Sequence, residues 1–219
     1  MKKIVALFAA ASTVAVAAPA MAQVNPTFTG PRIEALVGYD VSKAGSSIDD
    51  DSSIENDQSI EGVVYGGAIG YDFAAGGAVV GIEAELTDST AKTEFNAGDF
   101  EGFGLGAVET GRDLYVGARV GVLAQPDLLV YAKGGYTNAR YNLLNTVNGA
   151  ELEQDLKVDG YRLGAGVEYA LSGNSYIKTE YRYSNYSNGE VDFDGTNVSD
   201  NFDIDTDRHQ IMVGYGFRF

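Results

Sequence analysis

The chain has no cysteine, no tryptophan, one histidine (His209) and four prolines among 219 residues. Without cysteine there is no disulfide framework, no thiolate metal site and no cysteine nucleophile. A single histidine excludes a histidine-rich metal centre. Basic residues are few: 15 Lys and Arg stand against 31 Asp and Glu, for a formal net charge of −16. Such a chain is a poor partner for nucleic acid, because displacing phosphate counterions takes Lys and Arg. After the N-terminus no run of about 18 apolar residues offers a membrane-spanning helix. What is plentiful is glycine, 28 residues, in a chain 45% hydrophobic and 11% aromatic. That composition excludes a disordered acidic chain and points to β structure.

Residues 1–22 read as a secretory signal peptide. Lys2 and Lys3 form a positive start, Ile4 to Ala18 is an uncharged run rich in Ala and Val, and Ala20-Met21-Ala22 fits a small-residue cleavage site. Cleavage there leaves Gln23 as the new N-terminus. The expected organisation is therefore a signal over 1–22, a short periplasmic segment over 23–31 and one barrel domain over 32–219.

Eight segments alternate apolar and polar residues with period two: 32–41, 62–73, 80–87, 113–123, 129–141, 160–171, 176–184 and 210–219. Alternation is a strand signal, and no proline interrupts any of the eight. Leu36 breaks the first pattern and the fifth is less regular. Three connections are short and carry turn chemistry in Gly76-Gly77, Pro126-Asp127 and Ser172-Gly173-Asn174. Four are expected to be long, near 42–61, 88–112, 142–159 and 185–207. Short turns at one end and long loops at the other predict an all-β fold, an eight-stranded antiparallel up-and-down transmembrane β-barrel.

A soluble lipocalin-type barrel also has eight strands but turns its apolar face inwards. Three features favour the membrane version. Aromatics on the apolar face gather at the strand ends: Tyr39, Tyr65, Tyr161, Tyr181 and Tyr183 towards the loops, and Tyr71, Phe73, Tyr169, Phe217 and Phe219 towards the turns. That makes two interfacial girdles. The polar face carries seven basic residues, Arg32, Arg119, Lys133, Arg162, Lys178, Arg182 and Arg218. It also carries eight acidic ones, Asp40, Asp113 and the six carboxylates Glu34, Asp72, Glu83, Glu85, Glu168 and Glu180. Near-neutrality suits an enclosed lumen whose charges pair, with Gly117, Gly121, Gly164 and Gly214 leaving room for long side chains. Third, the chain closes its apolar pattern on Phe219.

At Ile211, Val213, Tyr215, Phe217 and Phe219 the sequence resembles the last strand of Gram-negative outer-membrane barrels. Such a strand is read by the barrel-assembly machinery. The stretches 164–169 and 178–183, with Arg208-His209-Gln210, resemble the opacity-protein-like, OmpA-like small-barrel family over about residues 30–219. The resemblance implies a place in the outer membrane and contact with its lipid and lipopolysaccharide. It does not specify function.

An eight-stranded interior is just filled by side chains. The lumen charges are therefore expected to form a plug of salt bridges rather than line a pore. Acidic loop residues, among them Asp49, Asp50, Asp51, Glu55 and Asp57, and Glu190, Asp192, Asp194, Asp200, Asp203, Asp205 and Asp207, read as a solvated surface. The series Asp203, Asp205 and Asp207 lacks the glycine and terminal Glu of a calcium loop. Gly66-Gly67-Ala68-Ile69-Gly70 precedes no helix pattern and is a strand, not a nucleotide loop. His209 is the only candidate base, and Ile211 rather than Ser occupies the next same-face position, so catalysis is not expected and neither is a cofactor. The expected role is a surface structural or interaction protein, anchored by the barrel with both termini periplasmic. A small diffusion channel is the first alternative and a surface hydrolase a more distant one.

Overall fold

The computed structural model describes residues 26–44, 59–93, 107–147, 150–171, 174–192 and 202–219. They form one antiparallel sheet closed into a barrel. Its strands are β1 (Gly30–Ala44), β2 (Ser59–Ala75), β3 (Ala78–Ser89), β4 (Lys92–Thr93), β5 (Ala107–Gln125), β6 (Leu128–Val147), β7 (Ala150–Ala170), β8 (Ser175–Asp192) and β9 (Phe202–Arg218). Except for β3 and β4, each strand pairs with its sequence neighbour, β1 pairs with β9, and β3 pairs with β5 to close the ring. The two-residue β4 continues the β3 stave after a break at Thr90-Ala91 and pairs with β5, so the wall has eight staves.

The alternation in the sequence is the alternation of the wall. Ile33, Val37, Ile69, Ile82, Val116, Leu163 and Ile211 are exposed on the outside, while Arg32, Glu34, Glu85, Arg119, Arg162 and Arg182 are buried inside. A barrel with an apolar exterior and a charged interior inverts the soluble arrangement and matches the transmembrane one. The girdle aromatics face outwards at both ends. Tyr136, beside Tyr161, and Tyr215, beside Phe217, join them.

The exceptions have packing reasons. Leu36 points into the lumen and packs with Val64, Ala68 and Met212, an apolar patch on the β9–β1–β2 side. Tyr131, on the less regular segment, turns inwards because Gly121 and Gly166 flank it on both neighbouring strands. At the turn end Ala75 pairs with Ala78 across Gly76-Gly77, and Gly76 takes a positive φ of 62° that its lack of a Cβ permits. Gln125 pairs with Leu128 across Pro126-Asp127.

Two connections expected to be long are shorter. Residues 142–159 are not a loop: β6 and β7 stay in register as far as Val147 opposite Ala150. Residues 185–192 and 202–207 likewise belong to β8 and β9. A membrane strand needs only about 9–11 residues. Pairing therefore runs on beyond the apolar band, where no alternation is demanded and the sequence carries none. The segments expected at 42–61 and 88–112 lie largely outside the described residues, as do Ala20, Ala22 and Gln23 of the cleavage site and Asp49, Asp50, Asp51, Glu55, Asp57, Asp194 and Asp200.

The turn end is stoppered. Pro26–Phe28 forms a 3-10 turn that buries Phe28 completely against Val79 and Leu129, with Leu123 and Ala170 alongside. Arg218 donates to the Thr27 carbonyl at 2.9 Å and lies over the Phe28 ring. A closed barrel that pairs its wall throughout is expected to resist detergent. On an SDS gel the unheated protein should migrate faster than the boiled protein. Identical migration, with no β signal by circular dichroism, would contradict this fold.

Candidate functional site: a filled lumen and a polar rim

Charged side chains fill the interior in three tiers. At the turn end Asp72 accepts from Arg119 at 2.6 and 2.8 Å and from Arg218 at 2.9 Å, and it forms an ion pair with Arg32 at 3.1 Å. Glu168 takes Arg119 at 3.0 Å and Arg218 at 2.9 Å. In the middle Lys133 sits among Glu83, Glu85 and Glu180 at 2.8, 2.6 and 2.9 Å. Lys178 pairs with Glu34, Arg32 with Glu34 and Glu83, and Arg182 with Glu180 and Glu85. At the loop end Asp113 joins Arg162 and Arg208, and Arg208 also holds Asp40. Hydroxyls of Thr137 and Tyr186 donate to Asp113 at 2.8 and 3.2 Å, and Ser89 donates to Asp40 at 3.1 Å.

All thirteen residues expected in the lumen network, from Arg32 to Arg218, are thus buried and paired. Asp40 and Asp113, read on the polar face, belong to the same network. Arg208 was missed. It shares the face of Gln210 and Arg218 and is fully buried, so carrying the alternation one step further back along β9 would have found it. With Arg208 the interior buries eight basic and eight acidic side chains among the described residues. A low-dielectric interior tolerates ions only as such balanced, hydrogen-bonded sets.

Tyrosines hold the tiers in place. Lys133 lies 4.6 Å from the Tyr115 ring, Arg119 5.0 Å from Tyr131 and Arg218 4.9 Å from Tyr176. The Tyr131 hydroxyl donates to Glu180 at 2.6 Å and that of Tyr176 to Glu34 at 2.7 Å. These contacts fit a packed plug. Among the described residues no group of three or more His, Asp or Glu is placed to hold a metal ion.

The outer rim is polar and aromatic. His209 faces outwards between Tyr181 and Tyr183, and its Nδ1 lies 2.7 Å from the Tyr181 hydroxyl. Asp207 is engaged elsewhere, accepting from Tyr183 at 2.6 Å and Asn185 at 3.0 Å. These two residues are bonded apart, which is not how a base and its orienting carboxylate stand. The residues expected as the assembly signal, Ile211, Val213, Tyr215, Phe217 and Phe219, line the outside of β9, and Phe219 is 75% exposed.

A closed, eight-stave barrel with an apolar exterior, two aromatic girdles and a paired interior defines the class: a small transmembrane β-barrel. The outer membrane protein beta-barrel domain model matches residues 8–217, and the chain belongs to that family. Its location is the outer membrane. The 31 kDa outer-membrane immunogenic protein of Brucella melitensis is 28% identical over 100% of this chain and 98% of that protein. The 25 kDa outer-membrane immunogenic protein of Brucella canis is 30% identical over 92% of this chain and 84% of that one. Among solved structures, Ail, the attachment invasion locus protein of Yersinia pestis, covers 87% of this chain and 99% of its own, with a TM-score of 0.49 and 16% identity. OprG from Pseudomonas aeruginosa covers 87% and 98%, with a TM-score of 0.49 and 15% identity.

Proposed function

We propose that the protein is a non-catalytic surface protein, in which the barrel is the anchor and the loop end is the contact surface. The observation that carries this is the balanced, ion-paired set of sixteen charges, buried among the described residues, that occupies the lumen. A filled barrel has no interior in which to do chemistry or pass solutes, so any activity falls to the exterior. In this reading the N-terminal segment is cleaved after Ala22 and both termini are periplasmic. The stoppered turn end then faces the periplasm, and the tall β6–β7 hairpin faces outwards. The assembly machinery reads the outward row from Ile211 to Phe219. The loop end, rich in acidic residues in sequence, meets lipopolysaccharide and whatever extracellular ligand the protein has.

A planar bilayer separates this from the channel reading. The refolded, heat-modifiable protein is expected to be electrically silent. Discrete steps that shift when Arg119, Glu168 or Arg182 is neutralised would show a conducting lumen and overturn the plug.

A further inference from the structure

We infer that the folded barrel joins Lys133 to Glu85 through an isopeptide bond, formed inside the lumen without an enzyme. The bond goes beyond the surface reading and does not depend on it. Of the two lysines buried among the described residues, Lys133 alone is held by three carboxylates: Glu85 at 2.6 Å, Glu83 at 2.8 Å and Glu180 at 2.9 Å. All four side chains are sealed from solvent, and the Tyr115 ring covers the lysine nitrogen at 4.6 Å. An ammonium and a carboxylate in contact differ from an amide by one molecule of water. Holding the two groups together replaces a rare encounter with a standing one. A closed interior keeps out the water that would reverse the step. Burying two ions is costly, so an uncharged product is favoured there more than in solvent.

The three carboxylates differ in how their oxygens are held, and the difference assigns the roles. Glu180 has Arg182 and Lys133 on one oxygen and the Tyr131 hydroxyl on the other. Glu83 Oε2 is held by Arg32. Its Oε1 takes no hydrogen bond and lies 2.8 Å from Lys133 Nζ, placed to receive a proton. Glu85 Oε1 accepts from Lys133 at 2.6 Å and from Arg182 at 3.0 Å. Its Oε2 takes no hydrogen bond, and its ion pair with Arg162 spans 3.7 Å. An oxygen so loosely held is the one free to collect protons and leave. Lys133 gives a proton to Glu83, and the resulting amine attacks Cδ of Glu85. The C–N bond forms, charge gathers on Oε1, and Arg182 holds it there. The bond from Cδ to Oε2 then breaks. The nitrogen loses two protons in all, both end on the departing oxygen, and Glu83 is a carboxylate again. The products are one amide and one water. One cation and one anion are lost together, so the interior stays balanced.

The other buried lysine provides the contrast. Lys178 pairs with Glu34, whose second oxygen is taken by Arg32 and the Tyr176 hydroxyl. Its next carboxylate, Glu180, is 3.7 Å away. Lys178 has an ion pair but no second carboxylate in contact to take the proton, and it is expected to stay a free lysine. The bond at Lys133 ties β6 to β3 past β5, which lies between them: Glu85 stands opposite Tyr115, and Lys133 opposite Arg119. It joins two staves that the hydrogen-bond ladder does not.

The test is trypsin digestion and tandem mass spectrometry of the protein extracted folded from the outer membrane. Trypsin does not cut after an acylated lysine. The expected product is residues 44–92 joined to residues 120–140, one water lighter than the two free peptides together. Protein kept in urea and never folded should give the separate peptides, cut after Lys133. Glu85→Gln should give the same linked product, because an amide at that position loses ammonia where the acid loses water. Glu85→Ala should give none. Glu83→Gln is expected to slow linkage after refolding by about a hundredfold or more, the usual worth of a placed proton acceptor. Heat modifiability reports the folding of each variant, and if none folds the parent protein alone decides. Separate peptides from the folded parent overturn the bond. A link mapped to Glu83 or Glu180 overturns the assignment to Glu85. A link present in the unfolded chain overturns formation by the fold. An equal yield of Lys178 linked to Glu34 overturns the need for a second carboxylate.

Discussion

Asp72→Ala is expected to destabilise the folded barrel by about 3–5 kcal/mol, the usual cost of stripping a buried ion of its partner. The carboxylate sits fully enclosed on β2 and is paired with Arg32, Arg119 and Arg218 at distances between 2.6 and 3.1 Å. Arg32 keeps Glu34 and Glu83 when Asp72 is removed. Arg119 and Arg218 are left to share Glu168. Two guanidiniums on one carboxylate in a sealed interior repel each other, and Arg119 loses the acceptor of its Nε and of one terminal nitrogen. The measurement is the urea midpoint for loss of heat modifiability in lipid vesicles. Arg119→Ala added to Asp72→Ala should cost less than the two single effects together, because the second change removes a charge the first left stranded. A midpoint unchanged by Asp72→Ala would mean water reaches this tier, and the account of a dry plug would fail.

The chain displayed its fold through one property, the two-residue period, because a barrel in lipid must sort apolar from polar at every step across the apolar band. Where the period holds, strand position and facing direction follow: Ile33 to Val41 and Ile211 to Phe219 lie as the alternation places them. Where the strands leave the band, the constraint lapses. Asn142, Asn145, Glu151 and Glu153 take part in the β6–β7 ladder, and no alternation in the sequence announces it. The lumen was legible as a set of charges but not as a set of contacts. Which carboxylate meets which guanidinium depends on strand stagger, and Arg208 meets Asp40 and Asp113 across residues far apart in sequence. The rim is the least legible part. The kinship of Asn138 and Asp159 with Asn185 and Asp207 emerges only when register brings each pair onto adjacent strands.

Gly216→Val is expected to be nearly as damaging as losing Asp72, although it removes no interaction of its own. Gly216 lies opposite Tyr176 on β8 and opposite Glu34 on β1. The Tyr176 ring crosses the glycine to bring its hydroxyl to Glu34 at 2.7 Å. A Cβ at residue 216 would stand 2.3 Å from the ring carbon that carries the hydroxyl. The same device recurs at Gly166, which lies between Tyr131 and Glu180, with the hydroxyl reaching the carboxylate at 2.6 Å. Glycine is required there because a ring occupies the space a side chain would need. Overfilling a packed interior costs about 1–3 kcal/mol, and the lost bond to a charged acceptor adds about 1.5–3 kcal/mol. Unfolding in urea measures the sum. Tyr176→Ala separates the two parts, since without the ring valine has room. The double variant should then be no less stable than Tyr176→Ala alone. If Gly216→Val matches the parent protein, Tyr176 has another resting place, and the bridge it makes to Glu34 does not hold β8 and β1 across β9.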